Sequence, residues 1–334
     1  MPENEHAPHR PVLKFGLQIP RFDYPGVEPH DVFGRVRDIA RTAEEAGFDS
    51  IWAQDHLYQA PVPGIGWRPD EPVLEAYTML SALAASTSTV RLGTTVSGVM
   101  FRNPALLAKM VTSLDVISGG RAVLGLGAAW FEDEHRGYGV DFPAPGERLD
   151  RLEEALLICR AMFREERPTF QGTHYRVDEV VNSPRPLTPG GPPILVGGSG
   201  EKRTLRLVAE HADACNLFGD LATVKHKLAV LDAHCEAVGR DPAAITRTKM
   251  TCLVIADSDA EAERRYDEMA AGMGDYAPML GGIAIAGGPD RVAEQVGEYL
   301  AAGLDGFVCY LPDTHDLDAV RLAGATLTKH FGAL

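Results

Sequence analysis

The chain is short of positive charge. Against 47 acidic side chains it carries 32 lysines and arginines, a formal net charge of −15 over 334 residues. Nucleic acid and anionic membrane surfaces are thereby excluded as general partners. A local basic cluster could still hold an anionic small ligand at short range. No apolar stretch is long enough to span a bilayer. The first eleven residues, MPENEHAPHRP, lack the apolar core of a signal peptide. They are expected to fray, which leaves residues 12–334 as a single domain of a cytoplasmic protein. The five cysteines, Cys159, Cys215, Cys235, Cys252 and Cys309, show no CxxC spacing. Most sit in apolar runs and read as buried free thiols, not as a disulfide framework or a metal site. HExxH, G-x-S-x-G and a Walker lysine loop are also missing, as is an H-x-H on the first strand. Zinc hydrolase, serine hydrolase and P-loop chemistry are disfavoured accordingly.

What the chain does have is a regular alternation of short apolar runs and amphipathic stretches. Strands are expected at 14–19, 49–53, 90–96, 122–130, 193–197, 213–217, 248–256 and 306–310. Helical patterns fill most of the intervals, at 31–46, 73–85, 105–118, 148–163, 202–211, 223–238, 260–271, 290–302 and 316–330. A small hairpin is expected across Gly172, and the GDYAPMLGG run at 274–282 reads as flexible. Eight strands that are apolar throughout, each followed by helix, predict a (β/α)8 TIM barrel with insertions at the C-terminal face of the strands. A doubly wound open sheet is the runner-up. It usually carries G-x-G-x-x-G after the first strand, where this chain has Pro20-Arg21-Phe22.

In a barrel the site lies at the carboxyl ends of the strands, and the residues there narrow the chemistry. Asp55 and His56 follow the second strand. Histidine as a residue type can exchange protons near neutrality; the alternative is a loop histidine paired with Asp55. Thr95-Val96-Ser97-Gly98 interrupt the third strand with a kink, a feature enriched beside active sites and also found at ordinary barrel corners. Gly125 to Ala129 end the fourth strand in small residues that allow close approach of a ligand to backbone. Trp130 and Phe131 follow, either walling a pocket or packing a loop. The charge run Glu132 to Arg136 reads as a solvated face, with one member turning inward as an acid or ligand clamp as the alternative. Gly197-Gly198-Ser199-Gly200 lead through Lys202, Arg203 and Arg206 into a helix, which reads as a phosphate site, with a plain tight turn as the alternative. Ala286 to Asp290 form a similar turn that Pro289 already explains structurally.

The segments FGLQIP, AEEAGFDSIWAQDH, RLGTTVSGVMFRNPALLAKMVTSLDVISGGR, LGLGAAWFEDEHRGYG, ERLDRLEEAL and PPILVGGSGEKRTLRLVAEHADACN occur in order between residues 15 and 216. Together they resemble the bacterial luciferase-like monooxygenase superfamily, and within it the branch that uses the deazaflavin coenzyme F420. The resemblance implies a (β/α)8 barrel, commonly a homodimer, with a tricyclic ring resting on a kink that contains a cis peptide. That kink maps to Thr95-Val96, with Ser97 and Gly98 beside it. The family's ring-proximal histidine maps to His56, next to Asp55. Phosphate contacts map to Ala128, Ala129 and Trp130 and to Gly197, Gly198, Ser199 and Gly200, with Lys202 near the anionic tail. Some sugar-phosphate dehydrogenases of the superfamily carry a catalytic glutamate where this chain has Ala128. The same substrate is therefore disfavoured, and Glu134 and Tyr58 become the candidate proton donors beside His56. Trp52, Trp67, Met100, Trp130 and Phe218 are candidates for an apolar pocket. The implied activity is F420-dependent hydride transfer to or from a small organic substrate. The alternatives are an FMN monooxygenase fed by a separate reductase, and a cofactor-binding barrel without turnover.

Overall fold

The computed structural model describes residues 11–61 and 67–332. Eight parallel strands close into a ring: β1 (Phe15–Ile19), β2 (Ser50–Ala53), β3 (Arg91–Thr94), β4 (Ala122–Gly127), β5 (Ile194–Gly197), β6 (Ala214–Leu217), β7 (Thr246–Ile255) and β8 (Gly306–Tyr310). Closure is made by β7, which aligns Lys249 with Leu217 of β6 and Met250 with Val308 of β8. The expected barrel is therefore the observed one. Its helices are α1 (Val32–Glu45), α2 (Ala76–Ala84), α3 (Pro104–Ser118), α4 (Glu132–Gly137), α5 (Pro145–Arg164), α6 (Thr204–His211), α7 (Leu221–Val238), α8 (Asp259–Met273), α9 (Ala277–Ile283), α10 (Pro289–Ala301) and α11 (Leu317–Phe331).

Local sequence accounts for the boundaries. The apolar face of α1 buries Val36, Ile39, Ala40 and Ala43, and Gly47, at φ +93°, turns the chain out of the helix. Asn103 caps α3 by accepting from the Ala105 amide at 2.9 Å, Pro104 fits its first turn, and Gly119 ends it in the left-handed region. Inside the barrel, Leu13, Trp52, Val123, Leu195, Met250 and Val308 form a core of their own, separate from the larger core beneath the helices. Trp52 belongs to this interior plug, its Nε1 donating to Ser50 Oγ at 3.0 Å. Among the described residues no helix is long and apolar enough to cross a membrane. All five cysteines are free and buried.

Two differences from the sequence reading bear on the site. Residues 274–282 are folded: a 3-10 turn, Gly274–Tyr276, leads into α9, which continues into a ninth strand, Ala284–Gly287, paired with the end of β7. Burial of Leu280 and Met273 against Cys252 and Val254 outweighs the local flexibility that the glycines suggest. Helix α6 starts at Thr204, two residues later than its pattern predicts. The small hairpin is present as Phe170–Gln171 against Arg176–Val177. The expectation for residues 1–11 lies outside the described residues except at Pro11, whose carbonyl accepts from Thr246 Oγ1 at 2.6 Å.

Candidate active site

The kink after β3 organises the mouth of the barrel. β3 pairs with β4 at Leu92 and Gly93, leaves it, and returns as Ser97–Gly98 opposite Leu126 and Gly127. The Thr95–Val96 peptide at the break is cis. The Thr94 carbonyl oxygen lies over Gly125 so closely that a Cβ there would stand 1.7 Å from it, which is why β4 needs glycine at this point. Side chains hold the break from three directions. Gln18 of β1 donates to Thr95 Oγ1 at 3.0 Å. Tyr77 of α2 shares a 3.1 Å hydrogen bond with Ser97 Oγ. Thr94 Oγ1 donates to the Gly125 carbonyl at 2.9 Å. Burial pushes the Tyr77 phenol far above its ordinary range, so it stays neutral in this network.

The two residues after β2 have different partners. Asp55 is buried, and both its oxygens accept from Arg102, at 2.5 and 3.0 Å. The same guanidinium reaches Glu75 at 2.6 Å and lies 5.0 Å over the Tyr77 ring. Asp55 thus anchors the loop through a bidentate ion pair. His56 Nδ1 donates to Glu134 Oε2 at 2.8 Å. Glu134, on α4, is wholly buried, and its other oxygen takes the Leu57 amide. One member of the charge run therefore turns inward, as its position suggests, and it fixes the imidazole. Tyr58 stacks on Tyr138 and does not line the cavity described below.

Beyond β4 the chain makes a sharp turn. Ala129 has a left-handed φ of +59°, and Arg148 of α5 donates to the Ala128 carbonyl at 3.0 Å. Trp130 is 61% exposed at the mouth and meets the His56 ring edge-on at 5.7 Å. Beyond β5, Gly198 has φ +120°, in the region that favours glycine. Its amide donates to the Asn216 carbonyl at 3.3 Å, and Ser199 Oγ accepts from the Phe218 amide at 3.2 Å. The positive cluster expected here is weaker than the sequence suggests. Arg203 pairs with Asp150 at 2.6 Å and Arg206 with Glu210 at 2.9 Å, which leaves Lys202 exposed beside the turn. The turn at 286–290 is structural: the Gly288 amide donates to Asp259 Oδ1 at 2.7 Å.

A cavity of about 900 Å³ opens at this face. It brings together Asp55, His56, Thr95, Val96, Gly98, Ala128, Ala129, Trp130, Glu134, Gly197 and Gly198. Ser97, Ser199, Gly200 and Lys202 lie outside its lining, Ser97 because it is buried within the kink network. Of the proposed apolar residues, Trp67, Trp130 and Phe218 line it, whereas Trp52 and Met100 do not. Sequence reasoning passed over Gln18, Asn216 and Arg102. The first two are lone polar residues inside buried strands, FGLQI and ACNL, and that break in an apolar run is a usable signal. Arg102 sits in a loop, where nothing local distinguishes it from a solvated charge.

The luciferase-like monooxygenase family matches residues 13–281. The chain belongs to that family. Among its relatives is an F420-dependent glucose-6-phosphate dehydrogenase of Kineococcus radiotolerans, 37% identical over 169 residues, 50% of this chain and 48% of the relative. Another is an F420-dependent hydroxymycolic acid dehydrogenase of Mycobacterium tuberculosis, 32% identical over 70% of this chain and 63% of the relative. The match thus spans about half the length of the first and under two thirds of the second. A 5,10-methylenetetrahydromethanopterin reductase of Methanolobus tindarius is 29% identical over 84% of this chain and 77% of its own. The barrel also superposes on the coenzyme F420 dependent tetrahydromethanopterin reductase from Methanopyrus kandleri, with a TM-score of 0.78 at 19% identity, covering 96% of this chain and 100% of the other. At that identity the likeness speaks to the fold alone. Within this luciferase-like barrel, the kink, the paired histidine and the glycine turns all converge on one cavity.

Proposed function

We propose that the protein is an F420-dependent oxidoreductase that moves hydride between the deazaflavin coenzyme and a small organic molecule. The observation that carries this reading is the convergence on one cavity of a small-residue surface, a glycine turn and a histidine held by a buried carboxylate. Val96, Gly98 and Ala128 offer a flat face of little bulk, suited to a planar ring. The small-residue turn from Gly197 to Gly200, which leads to α6 at Thr204, leaves room for a phosphate, with exposed Lys202 nearby for an anionic tail. The curated relatives named for F420 support the same choice.

The bound coenzyme would supply the hydride chemistry, and the protein supplies position and proton handling. Glu134 fixes the His56 ring through Nδ1. Nε2 is then the nitrogen that holds or passes a proton at the cavity. Asp55 and Arg102 fix the loop on which His56 stands, and Gln18, Tyr77 and Thr94 fix the kink. Equilibrium titration of the purified protein with F420 and with FMN tests the reading. F420 is expected to bind at least about tenfold more tightly, about 1.4 kcal/mol; preference for FMN overturns it in favour of the monooxygenase. The homodimer that the family resemblance implies is part of the same proposal. Light scattering is then expected to give twice the 36.1 kDa chain mass.

A further inference from the structure

The cavity has two chemically different walls. One runs from β2 to β5 and holds every charged side chain of the lining: Asp55, His56 and Glu134, with His135 beside them. The other runs along β7 and the segment after it and is dominated by Met250, Cys252, Met269, Met273, Met279 and Ile283, with Thr251 and Tyr276 as its uncharged polar members. Among the described lining residues there is no lysine or arginine. The undescribed residues 62–66 read VPGIG and carry no charge in their sequence. Of the cations near the polar wall, Arg102 is held by Asp55 and Glu75, and Arg148 is engaged by the Ala128 and Pro143 carbonyls.

We infer that the second ligand of this cavity, the partner of the coenzyme in hydride transfer, is an uncharged and predominantly apolar molecule, and that phosphorylated sugars are rejected. The inference rests on the F420 reading for the word partner, but not for the chemistry of the wall. A phosphate dianion carried against Met269, Met273 and Met279 would lose its hydration with no cation to replace it. An apolar chain meets the opposite situation. Methionines are unbranched and polarizable, so a wall of them follows ligands of different outline. The Cys252 thiol in that wall is pushed up to about 12 by burial and stays neutral, adding no charge. At about 900 Å³ the cavity is at the upper end of the ~300–1,000 Å³ seen for ligand pockets. That leaves room for a second molecule beside a planar ring.

The test uses the purified full chain and the uncharged fluorophore N-phenyl-1-naphthylamine, with 2-undecanone and glucose 6-phosphate as competitors. The ketone is expected to displace the fluorophore, and glucose 6-phosphate to leave it bound at concentrations about a hundredfold higher. The variant Met279→Lys places a charge on a rim residue that is 46% exposed, so folding is preserved. It is expected to weaken the ketone about tenfold while F420 affinity, read by the coenzyme's own absorbance, changes less than about twofold. Displacement by glucose 6-phosphate, or indifference of the ketone to Met279→Lys, overturns the inference. If F420 fails to bind while the ketone pattern holds, the cofactor reading falls and the apolar compartment stands. If F420 binds and the ketone does not, the inference falls alone.

Discussion

A half-buried arginine and a fully buried lysine stand on opposite sides of the barrel, and their surroundings differ completely. Arg102, on the polar side, is gripped by both oxygens of Asp55 and by Glu75, and it covers the Tyr77 ring. Burial works against its charge, but the Asp55 carboxylate holds it above even the usual arginine range. Lys249, on the outer face of β7, has no hydrogen-bond partner for its Nζ among the described residues. The amine lies 4.3 Å from the Tyr299 ring. The polar side is thus a fixed scaffold in which each charge is answered. The β7 side is apolar inside, where Met250 and Cys252 face the cavity, and strained electrostatically outside. The difference suits the two tasks: chemistry needs atoms held in register, whereas reception of varied apolar ligands needs a compliant wall.

The sharpest way to break the comparison is to remove the histidine that the polar side holds. His56→Ala is expected to slow hydride transfer by about 10²- to 10⁴-fold, the usual worth of a positioned acid or base. The dissociation constant for F420 should change little, so the loss appears in stopped-flow oxidation of the reduced coenzyme and not in titration. Equal losses in both would make His56 a structural residue and erase the functional asymmetry between the walls.

Next in size is Arg102→Met. It leaves the Asp55 carboxylate buried without a counter-charge, and removal of one partner from such a pair costs about 3–5 kcal/mol. Urea unfolding measures it directly. A loss below about 1 kcal/mol would mean that Asp55 gains water when the arginine goes, and that the polar side is less closed than its hydrogen bonds indicate. Activity should fall with stability, because Asp55 and His56 are consecutive on one loop.

Much of this scaffold was legible in the sequence, and the reasons for the gaps are physical. The eight strands announced themselves as short apolar runs because both their faces are buried. His56, Val96 and the glycine turns followed from their places at strand ends. Arg102 did not, because its meaning depends on Asp55, 47 residues away. The cationic reading of Arg203 failed for the same reason, since its partner Asp150 on α5 is set by tertiary contact, whereas the Arg206–Glu210 pair lies at i,i+4 within α6 and was legible locally. The 274–282 segment misled in the other direction. Its glycines and Pro278 argue for a loop, yet Leu280 and Met273 gain enough burial against β7 to fold it.

Lys249 gives the smallest effect and the most specific one, since its sign is opposite to that of Arg102. Burial lowers the Lys249 amine to about 8 from an ordinary 10.5, with Cys309 and then Asp220 working in the other direction. Below about pH 8 both the folded and the unfolded chain carry this proton, and the folded chain bears the cost of burying it. From there to about pH 10.5 the unfolded chain still holds the proton while the folded one releases it, so stability from this group rises with pH. The full difference corresponds to about 3 kcal/mol, reduced by the Tyr299 ring that faces the amine. Lys249→Met keeps an unbranched side chain one atom shorter and removes the charge. It is expected to stabilise the protein by about 1–3 kcal/mol at pH 7, with the advantage shrinking as the pH approaches 10.5. Thermal unfolding of both proteins across that range reads the effect. Destabilisation at pH 7 would show that the amine is answered after all, and the two cations would then differ in geometry but not in kind.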